Sequence, residues 1–285
     1  MAEHAVVSPA LRKRRAAAEA FVELASEPEG VRWTEVNAGG ITGLWAEAID
    51  GSADRVVQYL HGGGYLSGSA ASHRRLGGHL AKAVGGRVFL LDYGRAPENP
   101  HPGPVNDSVA AYRWLLDDGV RPDRLAVAGD SSGGGLALAT LLKLRDDGLP
   151  QPAAAVALSP WTDLEVTGET VTSNADQDLI VTPGRLRELA EVFLAGGDVR
   201  DPLAAPLHGD YRGVCPIYLQ VGGAEILLDD SNRVAEVARR AGVDVTVDVF
   251  AGMQHVFQMK VGKLPAADEA IARMGDWLST RLGGN

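Results

Sequence analysis

The stretch Arg124–Leu144, RLAVAGDSSGGGLALATLLKL, decides the fold. It begins with Leu125–Ala128, a short and continuously apolar run of the kind that becomes a strand buried on both faces of a sheet. From Gly134 to Asp146 it reads as a helix. Between the two stands Gly129-Asp130-Ser131-Ser132-Gly133, a G-x-S-x-G pentapeptide. Alone the pentapeptide is a weak signal, but a strand directly before it and a helix directly after it are the context of a nucleophile elbow. Such a turn holds its central serine in a strained backbone conformation. Gly133, Gly134, Gly135, Ala137 and Ala139 keep the helix slim, so that strand and helix can pass closely. The helix N-terminus, with unpaired N–H groups and the positive end of its dipole, then faces the serine. Ser131 is the candidate nucleophile, because Ser132 stands off the centre of the motif.

The same strand–helix alternation extends on both sides. Apolar runs recur at Val56–Leu60, Val88–Leu91, Ala154–Leu158, Ile217–Val221 and Val243–Phe250. Helical patterns fall between and after them at Ser72–Val84, Val105–Asp117, Pro183–Ala195, Asp230–Ala241 and Ala266–Leu282. Upstream, Val31–Val36 and Ile41–Ile49 read as strands of a hairpin across Asn37-Ala38-Gly39-Gly40. The sum is an α/β protein with a mixed, mostly parallel eight-stranded sheet flanked by helices, in one domain spanning 1–285. Two segments escape the alternation. Residues 1–30 include a helix from Ser8 to Ala25, with Ser8 as N-cap and Pro9 at the first helical position. Residues 163–213 far exceed the roughly 2–6 residues usual between a strand and its neighbour. Both are assigned to a small helical cap.

Composition narrows the function. The chain has 285 residues, 27 basic and 37 acidic, for a net charge of −10. That sign disfavours nucleic acid and anionic lipid as partners. The single cysteine, Cys215, can form neither an intrachain disulfide nor a zinc cluster. The tetrad Arg12-Lys13-Arg14-Arg15 precedes an Ala-rich stretch, but Glu19 and Glu23 interrupt it, so it reads as a solvated helix face rather than a secretory leader. No window approaches the ~20 apolar residues of a membrane span. A soluble, cytoplasmic protein is expected, and homo-oligomerisation is left open.

A serine hydroxyl needs a base, usually histidine. Of the seven histidines, His4 lies at the N-terminus, His61 precedes a glycine run, His73 and His79 share a helix, and His101 sits in a Pro-rich loop. The order Ser, acid, His leaves His208, inside the long insertion, and His255, directly after the last strand and at the sheet edge expected for Ser131. His255 is the candidate base. The acid should follow Ile217–Val221, where Glu225 stands nearest the strand end and Asp229 and Asp230 come a turn later. Glu225 is the first candidate and the two aspartates remain alternatives. The run His61-Gly62-Gly63-Gly64-Tyr65 follows the strand Val56–Leu60 and leaves backbone N–H groups uncovered. With the N–H of Ser132, such groups can hold the oxygen that turns negative when a carbonyl is attacked. No Lys-Ser/Thr follows the run, as a phosphate-binding loop would require.

Four stretches in order, His61–Gly64, Asp92-Tyr93-Gly94-Arg95-Ala96-Pro97-Glu98, Gly129–Gly133 and Glu225…His255, resemble the hormone-sensitive-lipase-like branch of the α/β-hydrolase esterases. The resemblance covers nearly the whole chain. It implies the α/β-hydrolase fold and oxyanion donors at Gly63, Gly64 and Ser132. It also implies a serine carboxylesterase acting on short-acyl esters through an acyl-enzyme, with no metal or organic cofactor. Gly94 stands where the family has Arg, Ser132 where it has Ala, and Glu225 where it has Asp. The longer Glu225 side chain must dock differently or cede its role to Asp229. Trp161, Leu164, Leu179, Ile180 and Val181 are candidates for the substrate pocket, though the same residues would serve as cap packing. A lactone or N-acetyl hydrolase is the close alternative, and a non-catalytic small-ligand receptor or an interaction protein on this scaffold the remote ones.

Overall fold

Eight strands form one sheet in a computed structural model that describes residues 7–283; His4 and the first residues of the N-terminal segment lie outside them. The strands are β1 (Val31–Ala38), β2 (Ile41–Ala48), β3 (Val56–Leu60), β4 (Arg87–Leu91), β5 (Leu125–Asp130), β6 (Ala154–Leu158), β7 (Ile217–Gly222) and β8 (Val245–Phe250). Their order is β1-β2-β4-β3-β5-β6-β7-β8. Only β2 runs against its neighbours; β4, β3 and β5 to β8 are parallel. The helices are α1 (Pro9–Glu19), α2 (Ala70–Val84), α3 (Gly103–Asp117), α4 (Ser132–Asp146), α5 (Thr170–Ser173), α6 (Pro183–Leu194), α7 (Leu228–Arg240) and α8 (Pro265–Arg281). Among the described residues no helix is long and apolar enough to cross a membrane.

The central strands are apolar throughout because both faces are covered. Val57, Tyr59, Val88, Leu90, Ala126 and Ala128 point to the face packed by α2 and α8. Val56, Leu60, Phe89, Leu91, Leu125 and Val127 point to the face packed by α3 and α4. This is the two-residue alternation of a strand, with both sides dry. Strand boundaries depart from expectation where turns capture residues. The hairpin turn shrinks to Gly39-Gly40, both at positive φ, so that Asn37 and Ala38 stay paired in β1. Val243 drops out of β8 because its N–H caps α7 by donating to the Ala238 carbonyl (3.1 Å).

Of the two segments outside the alternation, the first holds α1 and a 3-10 turn at Ala20–Leu24, the second α5 and α6. Helix α6 buries Leu186, Leu189 and Phe193, and Phe193 stacks on Tyr65 with ring centroids 3.7 Å apart. The basic tetrad is not uniformly solvated. Arg15 reaches Glu98 (2.6 Å) and the Leu66 carbonyl (2.8 Å), and Arg14 is half-buried, whereas Arg12 and Lys13 are exposed. Long-range partners, absent from any local pattern, separate the four.

Helix α4 runs so close to β3 that a Cβ on Gly133 would strike the Leu60 carbonyl oxygen. Gly133→Ala should therefore destabilise the protein by about 2–3 kcal/mol. The denaturant midpoint measures this, and an unchanged midpoint would show that α4 can shift to make room.

Candidate active site

Ser131 stands between β5 and α4, with φ 54° and ψ −122°, a strained combination for a residue with a side chain. Its N–H donates to the Leu158 carbonyl (2.8 Å), and its own carbonyl accepts from the Trp161 (3.0 Å) and Gly135 (3.0 Å) N–H groups. The turn is thus held from β6 and from the first turn of α4. His255 lies in the loop after β8, its Nε2 2.9 Å from Ser131 Oγ. Its Nδ1 is 2.7 Å from Glu225 Oε2. The other Glu225 oxygen accepts from the Gly222 N–H (2.6 Å) and Ser159 Oγ (2.7 Å). That double anchor is how the longer acid docks. Asp229 and Asp230 point elsewhere: Asp229 accepts from the Glu169 N–H (2.8 Å) and Asp230 from those of Thr162 (2.7 Å) and Asp163 (2.9 Å). Burial disfavours the charged His255 ring, yet the hydrogen bond and charge of Glu225 outweigh it and hold its pKa above the ordinary value.

The glycine loop follows β3. The Gly62 N–H donates to Asp130 Oδ1 (3.0 Å) and the Tyr65 N–H to Ser132 Oγ (3.2 Å). The N–H groups of Gly63 and Gly64, between them, have no acceptor among the described residues. Gly63 has φ 124°, and a Cβ there would strike the Ser67 carbonyl oxygen, so only glycine fits. Ser132, first residue of α4, presents its N–H at the open helix end. Its hydroxyl also braces the loop, a function the sequence reading did not foresee.

That reading also missed the network under Asp130. This buried carboxylate accepts from Tyr59 Oη (2.9 Å) and lies 3.3 Å from His73 Nε2 on α2. Burial would raise its pKa, but the charge and hydrogen bond of His73 prevail and hold it low. Burial likewise opposes a charged His73, and Asp130 prevails there too, holding that pKa high. The adjacent His61 stays neutral: burial and the charge of His73 push its pKa to about 3.

Above Ser131 opens a cavity of about 840 Å³. Trp161, Leu179, Ile180 and Val181 line it, as do Phe21 and Leu24 from the N-terminal segment and Leu186 and Leu189 from α6. Leu179 and Ile180 are 81% and 62% exposed, so their side chains fill no core. Leu164 does not line the cavity; it is buried in the core. The chain leading into α6 is laced to the loops below. Asn174 Nδ2 donates to the Glu225 carbonyl (3.0 Å), Asp178 Oδ2 accepts from the Ile226 N–H (2.9 Å), and Gln254 Oε1 accepts from the Leu179 N–H (2.8 Å). The one group of donors close enough for a metal among the described residues is Asp163, Glu165 and His208. Its carboxylates are engaged by Arg233 (2.8 Å), Thr167 (2.6 Å) and Arg200 (2.7 Å).

Comparison with known proteins adds a family and close relatives. The family described as alpha/beta hydrolase fold matches residues 57–259. The acetyl-hydrolase of Streptomyces hygroscopicus is 44% identical over 269 residues, 94% of this chain and 88% of that one. An esterase of Acinetobacter venetianus is 33% identical over 86% of this chain and 81% of its own. The crystal structure of an esterase from the bacterial hormone-sensitive lipase family superposes with a TM-score of 0.94 at 43% identity, covering 98% of this chain and 94% of that one.

Asp130→Asn leaves His73 without its carboxylate and should cost about 3–5 kcal/mol. The raised His73 pKa adds stability that is complete below its unfolded value and lost as pH rises through the folded one. The lowered Asp130 pKa adds stability present above its unfolded value and lost as pH falls through the folded one. Unfolding midpoints measured across pH should show both limbs in the native protein and neither in the variant; identical profiles would dismiss the pair.

Proposed function

The chain belongs to the α/β-hydrolase family, in the branch of bacterial hormone-sensitive-lipase-like esterases, and is a carboxylic ester hydrolase; we propose that Ser131, His255 and Glu225 form its catalytic triad and that it acts on short-acyl esters. The observation that carries this reading is the unbroken hydrogen-bonded chain from Ser131 Oγ through His255 to Glu225.

His255 Nε2 takes the Ser131 proton as Oγ bonds to the ester carbonyl carbon. The carbonyl oxygen becomes an oxyanion, held by the N–H groups of Gly63, Gly64 and Ser132. Glu225 accepts the Nδ1–H bond, selects the tautomer and stabilises the imidazolium. As the C–O bond breaks, His255 returns its proton to the departing alkoxide and an alcohol leaves. Water then attacks the acyl-enzyme by the same route, releasing the carboxylic acid and restoring Ser131. The free Gly63 and Gly64 donors support the oxyanion role, and likeness to an acetyl-hydrolase supports a small acyl group.

We assign the segment up to about residue 30 and the segment 163–213 to a cap over the site. Phe21 and Leu24 from the first, with Leu179 to Leu189 from the second, support this by walling the cavity. Trp161, Leu179 and Ile180 are the proposed substrate contacts. A cytoplasmic location belongs to the same reading. What supports it is the lack of any need for an oxidising compartment: the one cysteine, Cys215, is a buried free thiol.

On an aryl acetate, Ser131→Ala should lower kcat by about 10⁴-fold or more. A folded variant that keeps activity would dismiss the nucleophile. Because Glu225 raises the His255 pKa, kcat/KM should climb with pH through a midpoint above that of an unperturbed histidine. Glu225→Gln should cost about 10⁴-fold and move that acid limb to lower pH. A limb that stays put would take the acid role away from Glu225.

A further inference from the structure

The cavity wall is apolar except for a few groups; its cationic side chains are Arg14, Arg185 and Lys260, and the imidazoles of His73 and His255 also reach it. Among the described residues the only carboxylate on the wall is Asp130, already engaged by His73, Tyr59 and Gly62. Arg14, on α1, is half-buried, and among the described residues its guanidinium has neither an ion-pair partner nor a hydrogen-bond acceptor. Burial, and then the nearby charge of Arg185, lower its pKa to about 10, against a smaller opposing pull from the carboxylate of Glu188. Arg185, on α6, has one partner, Glu188 at 3.1 Å, with both side chains largely in solvent. A pair so exposed neutralises little. Two like charges thus share the wall of a mostly apolar cavity, and the counter-charge near both, Glu188, is itself largely in solvent and already bonded to Arg185, so the pair keeps an excess of positive charge.

This arrangement runs against the rest of the molecule. The chain carries a net charge of −10, so its general surface repels anions, while this cavity presents an excess of cations beside the candidate nucleophile. Packing does not require them, because the stem of Arg14 could cover the same apolar surface with a neutral head. A bound anion would relieve the repulsion between Arg14 and Arg185 and gain charge-assisted hydrogen bonds in a partly desolvated place.

We propose that the preferred substrates are esters bearing an anionic oxyacid group, a carboxylate or phosphoryl, remote from the scissile carbonyl and held by Arg14 with help from Arg185. The inference rests on the reading of Ser131 as nucleophile. The apolar body of such a substrate would lie against Phe21, Leu24, Leu179 and Ile180, and its acyl end would reach Ser131. Arg14 and Arg185 are specificity determinants in this scheme and take no part in bond making.

The test compares para-acetoxybenzoate with its neutral methyl ester, each kcat/KM divided by the ester's own alkaline hydrolysis rate. The native enzyme should favour the carboxylate by about tenfold or more. Arg14→Gln should cut that ratio by about tenfold, and Arg185→Gln by a few-fold, since Glu188 already shares its charge. Raising NaCl to about 0.5 M should narrow the native ratio. A ratio at or below one, or one that Arg14→Gln leaves unchanged, overturns the proposal. Normal turnover of the neutral ester without a carboxylate preference overturns this inference alone. Turnover of neither ester, or full turnover by Ser131→Ala, overturns the serine-esterase reading as well. Phosphatidylglycerol vesicles provide the third arm. Arg14-dependent stimulation of neutral-ester turnover by them, with no carboxylate preference, would overturn the proposal in favour of a membrane surface.

Discussion

Strand β5 can turn into helix α4 only because no side chain stands between α4 and β3. At Gly133 the helix backbone occupies the space a methyl group would need beside the Leu60 and His61 carbonyls. That contact sets how far the turn projects and hence where Ser131 stands. The strain at Ser131 persists because β6 and α4 grip its backbone on both sides. The next residue back, Asp130, reaches across to the Gly62 N–H, and the next forward, Ser132, takes the Tyr65 N–H. Three consecutive residues therefore position both the hydroxyl and the amides that face it.

Buried carboxylates do much of the organising around this edge of the sheet, each by accepting from the backbone of a loop. Glu225 takes the Gly222 N–H and holds His255; Asp178 takes those of Ile180, Val181 and Ile226; Asp163 takes those of Glu165 and Thr167. Loop N–H groups that would otherwise be buried without partners are satisfied this way, and the loops gain a single conformation. Asp230 is the exception. Its Oδ2 serves Thr162 and Asp163, but its Oδ1 is buried without a partner. Burial pushes its pKa up to about 7.

What could be read from the chain follows from how local each determinant is. The elbow lies within one strand–turn–helix stretch, so Ser131 and its strained turn were legible there. Continuous apolar runs placed the central strands to within about two residues, because strands dry on both faces leave no other reading. The acid was less legible. Glu225 stands in the loop after β7 and Asp229 four residues on, in the first turn of α7, and what singles out Glu225 in space is Ser159, brought in from the end of β6. The fates of Arg14 and Arg15, adjacent in a uniform basic run, depended likewise on distant partners: Glu98 for one and a cavity wall for the other. The four-residue α5 is too short to show any period.

Helix α6 has a double attachment. It contributes Arg185, Leu186 and Leu189 to the cavity, and through Phe193 it stacks on Tyr65 and accepts the His101 N–H at 2.9 Å. Wall and amide cradle are thus joined through one helix, so a displacement of α6 that widened the pocket would also disturb the loop facing the reacting oxygen. Drift toward bulkier substrates through this helix carries a built-in penalty. The freer route runs through the tip at Leu179 and Ile180, whose side chains stand in solvent, so diversification should concentrate there while α6 stays constrained.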